Sequence, residues 1–388
     1  MVAAGAFGVA VAALWVRFLL GSAANGWVTD HNGAAFAADI AAFSRGASLA
    51  LDGLGPDLYD APGFQIVGAS GFLNPPFFAY YFVPFVGLQQ PVLWLVWSAL
   101  SLGMLWLALR LLAVEFRWVW MAALLLTLPG YMNFKFGQNS LLTVLLFAAT
   151  YRLLQTRRLV LAGFVAGFAL YKVQLLVGFG LWWLAEFRRY WKVLVALATA
   201  GVVLIAASWL LLPGAWPALA SRLTELQGEY AAYAEAHFSA LHAAFVLAPD
   251  LGTTGATAVG VVFALAVAAG YIWYLRRVRG HLEASFAAAV VVGLLTAPHL
   301  LGYDWLLLVV PYALVWRAFP RRRLLWVQTA VLLSAAAYVS GPFAALMASM
   351  VDWAVQPAVP VLLGVAVVSA RAILDELDEE VRLLPNRP

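Results

Sequence analysis

The chain has no cysteine, five histidines and 11% charged residues. The missing thiols rule out disulfides and thiolate metal sites and leave the redox compartment open. His31, His237, His242, His281 and His299 are too few and too scattered for a histidine-rich centre, so no metal and no cofactor is expected. What takes their place is apolar: 64% of the 388 residues are hydrophobic and the mean hydropathy is +0.89. Runs near 20 residues, the length that crosses a bilayer, recur from end to end. Without water inside a membrane the backbone must satisfy itself, which at this hydropathy leaves helices; no ten-residue alternation suggests a β-barrel. The expectation is an all-α polytopic membrane protein, one domain over 1–388 with about 11–13 transmembrane helices.

The net charge of +4 would suggest nucleic acid in a soluble protein. Here the basic residues sit in short clusters between apolar runs, the pattern of loops on the cytoplasmic side, so no nucleic-acid partner is expected. The clusters are Arg157-Arg158, Arg188-Arg189 with Lys192, Arg276-Arg277 with Arg279, and Arg317 with Arg321-Arg322-Arg323. Between them, turns fall on the opposite side: Gly137-Gln138-Asn139-Ser140, Tyr171-Lys172-Val173-Gln174, a long loop over 213–255, and Pro298-His299 through Tyr303-Asp304. A first outer loop covers 22–74, and 372–388 reads as an acidic cytoplasmic tail. The first run, Val2–Leu20, lacks a basic leader and reads as a retained anchor.

Three details of this threading are specific. Leu159–Phe187 must cross twice in about 30 residues where two full spans take roughly 40, which predicts short broken helices beside a cavity. Phe77–Leu88 is expected to be re-entrant or interfacial, with Val92–Leu112 crossing fully. Within 213–255, Trp216, Leu219, Leu223, Leu226, Tyr230, Tyr233, His237 and Leu241 form one helical stripe, predicting an amphipathic interfacial helix on the outer loop.

Residues suited to chemistry collect on the outer side. Asp39 is a loop carboxylate that can serve as a general base or cap a helix, with Asp30 and Asp60 as fallbacks. Lys172 lies between apolar segments, where an ammonium either meets an anion or snorkels to the interface. Arg45 offers a planar fork for the same anion or is a solvated loop residue. Gln138 and Asn139 can bind hydroxyls or cap the following helix. His299 and Asp304, five apart on a Pro-Gly turn, lack the further partners a metal would need.

Read in order, Asp39, Tyr59-Asp60, Asn74-Pro75-Pro76, Gly137-Gln138-Asn139-Ser140, Tyr171-Lys172-Val173-Gln174 and Ala297-Pro298 leading to Tyr303-Asp304-Trp305 resemble the membrane glycosyltransferases of the GT-C superfamily. The nearest likeness is glycosyltransferase family 87, the polyprenyl-phosphate-mannose-dependent mannosyltransferase type, over about residues 1–340. The chain departs from its usual patterns at Val173, where proline is common, at Ile40, at Asn74, and at Tyr303-Asp304, where some relatives carry two histidines.

The resemblance implies an inverting transferase on the outer face of a bacterial inner membrane. It would move a hexose, mannose first among them, from a polyprenyl-phosphate donor to a lipid-linked or glycan acceptor. It further implies Asp39 as the base, Lys172, Arg45 and Gln174 at the donor phosphate, and Gln138, Asn139, Tyr59, Asp60, His299, Tyr303 and Asp304 at the substrates. Membrane lipids, donor and acceptor are the expected partners. The alternatives are a lipid or sugar flippase, which would favour an internal repeat that is not evident, and a membrane acyltransferase with His299 as its base.

Overall fold

The computed structural model describes residues 2–30, 36–59, 72–229, 238–247, 250, 252–340 and 357–383. Among these every regular element is helical. Helices α1 (Val2–Ala24) and α2 (Ala38–Leu51) flank the first loop, and a tight 3-10 segment, Pro76–Phe85, follows. Then come α3 (Gln90–Leu111), α4 (Arg117–Leu125), α5 (Leu128–Phe136), α6 (Ser140–Gln155), α7 (Leu159–Gly167), α8 (Val177–Ala185) and α9 (Phe187–Leu211). The chain continues through α10 (Ala215–Glu229), α11 (Ala240–Leu247), α12 (Gly252–Arg277) and α13 (Leu282–Thr296). After a further 3-10 segment, Gly302–Leu308, it ends in α14 (Val309–Ala318), α15 (Arg323–Tyr338) and α16 (Ala358–Leu383).

Five stretches of the described residues are long and apolar enough to cross a membrane: Gln90–Leu111, Leu159–Ala185, Phe187–Leu211, Gly252–Arg277 and Ala358–Glu380. Gly8–Ala24, Ser140–Gln155 and Leu282–Thr296 are shorter apolar helices. Exposed Val202, Leu210, Val262 and Leu265 give α9 and α12 apolar outer faces of the kind lipid covers. The chain is an all-helical membrane protein.

The stretch Leu159–Ala185 is not a rod. Lys172 leaves the helical region, at φ −127° and ψ 58°. Before that break, Gly163 lies against Val193 and Ala196, and Gly167 against Ala200, so α7 runs parallel to α9 with glycines admitting the close approach. Beyond it, Leu175 meets Gly293 and Gly178 meets Ala289, and the Trp182 ring packs edge-on against Tyr190 at 4.9 Å. The second limb therefore returns toward the start of α9. From Leu159 to Tyr171 a helix rises about 18 Å, well short of a hydrocarbon core of about 30 Å. Two full crossings do not form. The stretch is one re-entrant hairpin, and its tip stops level with the first turn of α6, where the Tyr171 hydroxyl meets Thr143 Oγ1 at 2.7 Å. Lys172 is thus interior rather than on an outer turn, because the limbs are too short to carry it out.

Pro76–Phe85 is also too short to cross. It packs on α2 and stacks Phe78 on Tyr171 at 4.2 Å, while α3 supplies the long helix. An aromatic cluster of Phe43, Phe72, Phe78, Phe82 and Trp97 ties α2 into the bundle. At the other end of α6, Arg317 donates to the Leu112 carbonyl at 3.0 Å and meets both Tyr151 and Glu283. This brings the ends of α3, α6 and α14 and the start of α13 together at one basic end, opposite the hairpin tip. Leu219 of the expected amphipathic stripe is buried in α10, whose start abuts Pro56 through Gly214; Tyr230, Tyr233 and His237 lie outside the described residues. The acidic tail from 372 continues α16 as helix to Leu383, with Glu379 paired to Arg321 and Arg322.

Candidate active site

The site begins at Gly137. At φ +70° it ends α5 in the left-handed conformation, and the N–H groups of Gly137 and Gln138 return to Phe134 and Asn133 at 3.2 and 2.7 Å. The reversal points Gln138 at the first turn of α2. Its Nε2 donates to Asp39 Oδ2 at 2.6 Å, while its Oε1 accepts the Asn139 N–H at 3.2 Å. The Asn139 carboxamide makes no cap, and both of its polar ends are buried without a hydrogen-bond partner.

One residue on, Ser140 Oγ donates to Asp304 Oδ1 at 3.0 Å. The Lys172 ammonium, at the hairpin tip, reaches the same oxygen at 2.5 Å and sits 5.4 Å from the centre of the Tyr303 ring. Tyr303 also engages the Gln138 side chain. Helix α2, the α5–α6 turn, the hairpin tip and the 302–308 segment thus meet at one point. Trp94 and Trp97 of α3 bind the Phe134 and Gln138 carbonyls there. With α3 starting at Gln90, this level is about 10 Å inside that end of the bundle.

Asp39 is half-buried, whereas Gln138, Lys172 and Asp304 are buried. Loss of hydration pushes the Asp39 carboxyl up from its ordinary 3.8 to about 6. The Gln138 hydrogen bond and the Lys172 charge pull it down, and the Asp304 charge pushes it up further. A carboxylate held near neutral pH beside a fixed ammonium can take a proton from a hydroxyl while the ammonium faces an anion.

Other expected residues stand elsewhere. The Tyr59 hydroxyl donates to the Asn74 carbonyl at 2.6 Å and braces the first loop, so it is not gathered into the cluster. Arg45 is exposed nearly two turns after Asp39 and does not point with it. Gln174 is half-buried just past the tip. His299 is half-buried in a turn held by Phe238 and Ser239, which bond Leu300 and Pro298. Asp60 lies outside the described residues. Asp30, a fallback base, is bound 2.9 Å from Lys135. Nothing in the sequence marks Lys135 or Ser140 for this site beyond the adjacency of each to the Gly137-Gln138 turn. Among the described residues no three His, Asp or Glu side chains group closely enough to hold a metal.

A helical membrane protein with a polar cluster sunk among its helices is the class that this architecture defines. The family model for glycosyltransferase family 87 matches residues 72–302, more than half of the chain, and the protein belongs to that family. It is therefore a glycosyltransferase. The matched stretch includes Gln138, Asn139, Lys172, Gln174 and His299, and it excludes Asp39 and Asp304. The comparisons with curated proteins and with solved structures returned no match.

Proposed function

We propose that this chain transfers a hexose, mannose first among the candidates, from a polyprenyl-phosphate sugar to a hydroxyl of a lipid-linked or glycan acceptor. The transfer inverts the anomeric centre and takes place at the outer face of a bacterial inner membrane. The observation that carries the reading is the joining of Asp39 and Lys172 in one cluster built from four separate stretches. The acceptor hydroxyl oxygen bonds to the anomeric carbon, and Asp39 takes its proton. The bond from that carbon to the phosphate oxygen breaks on the opposite face, and polyprenyl phosphate leaves with the electron pair. Lys172 faces the charge that develops there, in a setting poor in water, where a fixed cation is most effective. Gln138 holds Asp39 in place, and the free carboxamide of Asn139 is available to a sugar hydroxyl. Family membership favours transfer over transport.

The test uses purified full-length protein in lipid nanodiscs with short-chain polyprenyl-phosphate sugars labelled in the sugar. Label moving to an extracted glycolipid or glycan, with polyprenyl phosphate released in equal amount, supports the reading. Cleavage of nucleotide sugars but no polyprenyl-phosphate sugar would overturn the donor. Movement of intact donor across the bilayer without cleavage would favour a flippase.

A further inference from the structure

Away from the Asp39 cluster, α12 and α16 line a mostly apolar cavity of about 540 Å³ together with α13, α14 and α15. Asp39, Gln138, Lys172, Tyr303 and Asp304 do not border it. Gly270 does, and nothing lies within 4 Å of a methyl group added there, so the space is real at that wall. Trp273 and Val367 line the cavity and are also exposed, which opens it sideways to where lipid lies.

Its length and direction are specific. Along α12 the lining runs from Phe263 to Tyr274, about 17 Å of helix, and along α16 from Leu362 to Leu374, about 18 Å. Each is close to half of a hydrocarbon core of about 30 Å, the depth of one leaflet. Both helices run toward the basic end. Helix α12 closes on Arg276 and Arg277, and Glu379 near the end of α16 pairs with Arg321 and Arg322. The cavity therefore lies in the leaflet on that side and stops about midway along α12.

The basic end of the cavity carries groups suited to a phosphate. Arg371 lines it with an exposed side chain whose Nε lies 3.0 Å from Asp375 Oδ1, which leaves its terminal nitrogens for another acceptor. Arg277 stands 5.7 Å from the centre of the Trp273 ring and, among the described residues, joins no ion pair. Tyr274, one turn inside Arg277, is buried, and its hydroxyl has no hydrogen-bond partner, a costly state for a donor away from water. Basic pockets between helices on the positively charged side of a membrane protein suit anionic lipid headgroups.

We propose that this cavity seats one tail of an anionic phospholipid from the leaflet at the basic end. Its phosphate lies on Arg277 and Arg371, and an ester carbonyl accepts the Tyr274 hydroxyl. The tail fills the space between α12 and α16 and supports α13 and α14, which flank the 302–308 segment. The donor's isoprenyl chain is the rival occupant, but it would enter from Lys172, at the opposite end and among residues that do not reach the cavity.

The experiment places the full chain in phosphatidylcholine nanodiscs with a small fraction of phosphatidylglycerol that carries a photoreactive diazirine midway along one tail. Cross-links are mapped by peptide mass spectrometry. Adducts should form on Ala287 and Val292, which line the cavity and are buried from bulk lipid. A phosphatidylcholine probe at the same fraction should mark them roughly tenfold less, the scale set by one or two arginines at a membrane surface. Arg277→Gln with Arg371→Gln changes exposed positions only and should abolish that preference. Gly270→Phe fills the slot and should remove the internal adducts, while those on exposed Leu210 of α9 persist. Should Gly270→Phe fail to fold, the arginine pair decides. Equal marking by the two headgroups, or no adducts on Ala287 and Val292 while Leu210 is marked, would overturn the proposal. So would displacement of the probe by unlabelled isoprenyl phosphate more readily than by unlabelled phosphatidylglycerol, which would give the slot to the donor chain.

Discussion

Ile40 rests on Gly137: a methyl group added to that glycine would fall 2.5 Å from Cγ2 and 2.6 Å from Cβ of Ile40. The residue after the carboxylate is thus fitted to the turn before the glutamine that binds it. Two stretches almost 100 residues apart are held in register by an absent side chain, and the 2.6 Å bond between Gln138 and Asp39 depends on it.

Gly137→Ala follows directly. Alanine is strained at φ +70°, and its methyl group would push α2 away from α5. Displacements near 1 Å can cost about 10²-fold in rate, so kcat should fall by roughly 10- to 100-fold while helix content by circular dichroism stays close to the parent. Gly180→Ala, with nothing within 4 Å of its added methyl group, is the matching control and should be near neutral. Equal activity in the two variants would mean that the Asp39 to Gln138 contact does not matter for turnover.

Asp39 gives a pH signature in two directions. As a base it must be ionised, so kcat/KM should fall on the acid side with a midpoint near 6, where burial has pushed the carboxyl, rather than near 4. For stability the sign is opposite. A carboxyl raised in the folded state favours folding when protonated; that contribution is complete below about 4 and is lost as pH rises through about 6. Asp39→Asn should therefore reduce transfer at least about 100-fold and also unfold at a higher temperature than the parent near pH 7.5. Its advantage, on the order of 1–3 kcal/mol, should vanish by about pH 4. A variant that is inactive and also less stable at neutral pH would mark Asp39 as structural.

Lys172 and Asp304 should show the behaviour of a buried pair. Lys172→Met leaves Asp304 with Ser140 alone, and breaking one partner of such a pair costs on the order of 3–5 kcal/mol. Adding Asp304→Asn removes the orphaned charge and should recover most of the melting temperature. Activity should not recover, because the cation is still missing. If the double variant regained turnover, Lys172 would be needed only to neutralise Asp304.

The fold class and part of the candidate site, Asp39, Gln138, Lys172 and Asp304, are legible in the sequence, and the reasons are physical. Apolar runs with basic punctuation leave little freedom beyond helices and a charged end. A lysine between apolar segments is expensive enough to demand an anion, which turned out to be Asp304. Other features were hidden. The length of Leu159–Phe187 signalled trouble but not its form, because a re-entrant hairpin and two short crossings have the same composition. What separates them is the glycines at 163, 167 and 178, which meet α9 and α13. Motif and loop alone put Tyr59 and Arg45 beside the site. Their directions depend on the Asn74 carbonyl and on the helical phase of α2, which spacing alone does not reveal.

The side of the membrane on which this cluster opens is open to direct test, because a chain without cysteine accepts single labels cleanly. Arg276 and Arg277 close α12, and Arg110, Arg152 and Arg317 lie in the last turns of α3, α6 and α14. Clusters of this kind are retained in the cytoplasm. Helix α9 runs from that end to α10, which is seated by Gly214 on Pro56 of the first loop, so α10 belongs with Asp39 and its neighbours. Cysteine at Glu225, exposed on α10, should react in intact cells with a maleimide that cannot cross the membrane. Cysteine at Arg277 should react only after permeabilisation. Labelling of position 277 but not 225 would invert the molecule and place the site in the cytoplasm. A sugar nucleotide would then be the natural donor, and the reason for a lipid phosphate at Lys172 would disappear.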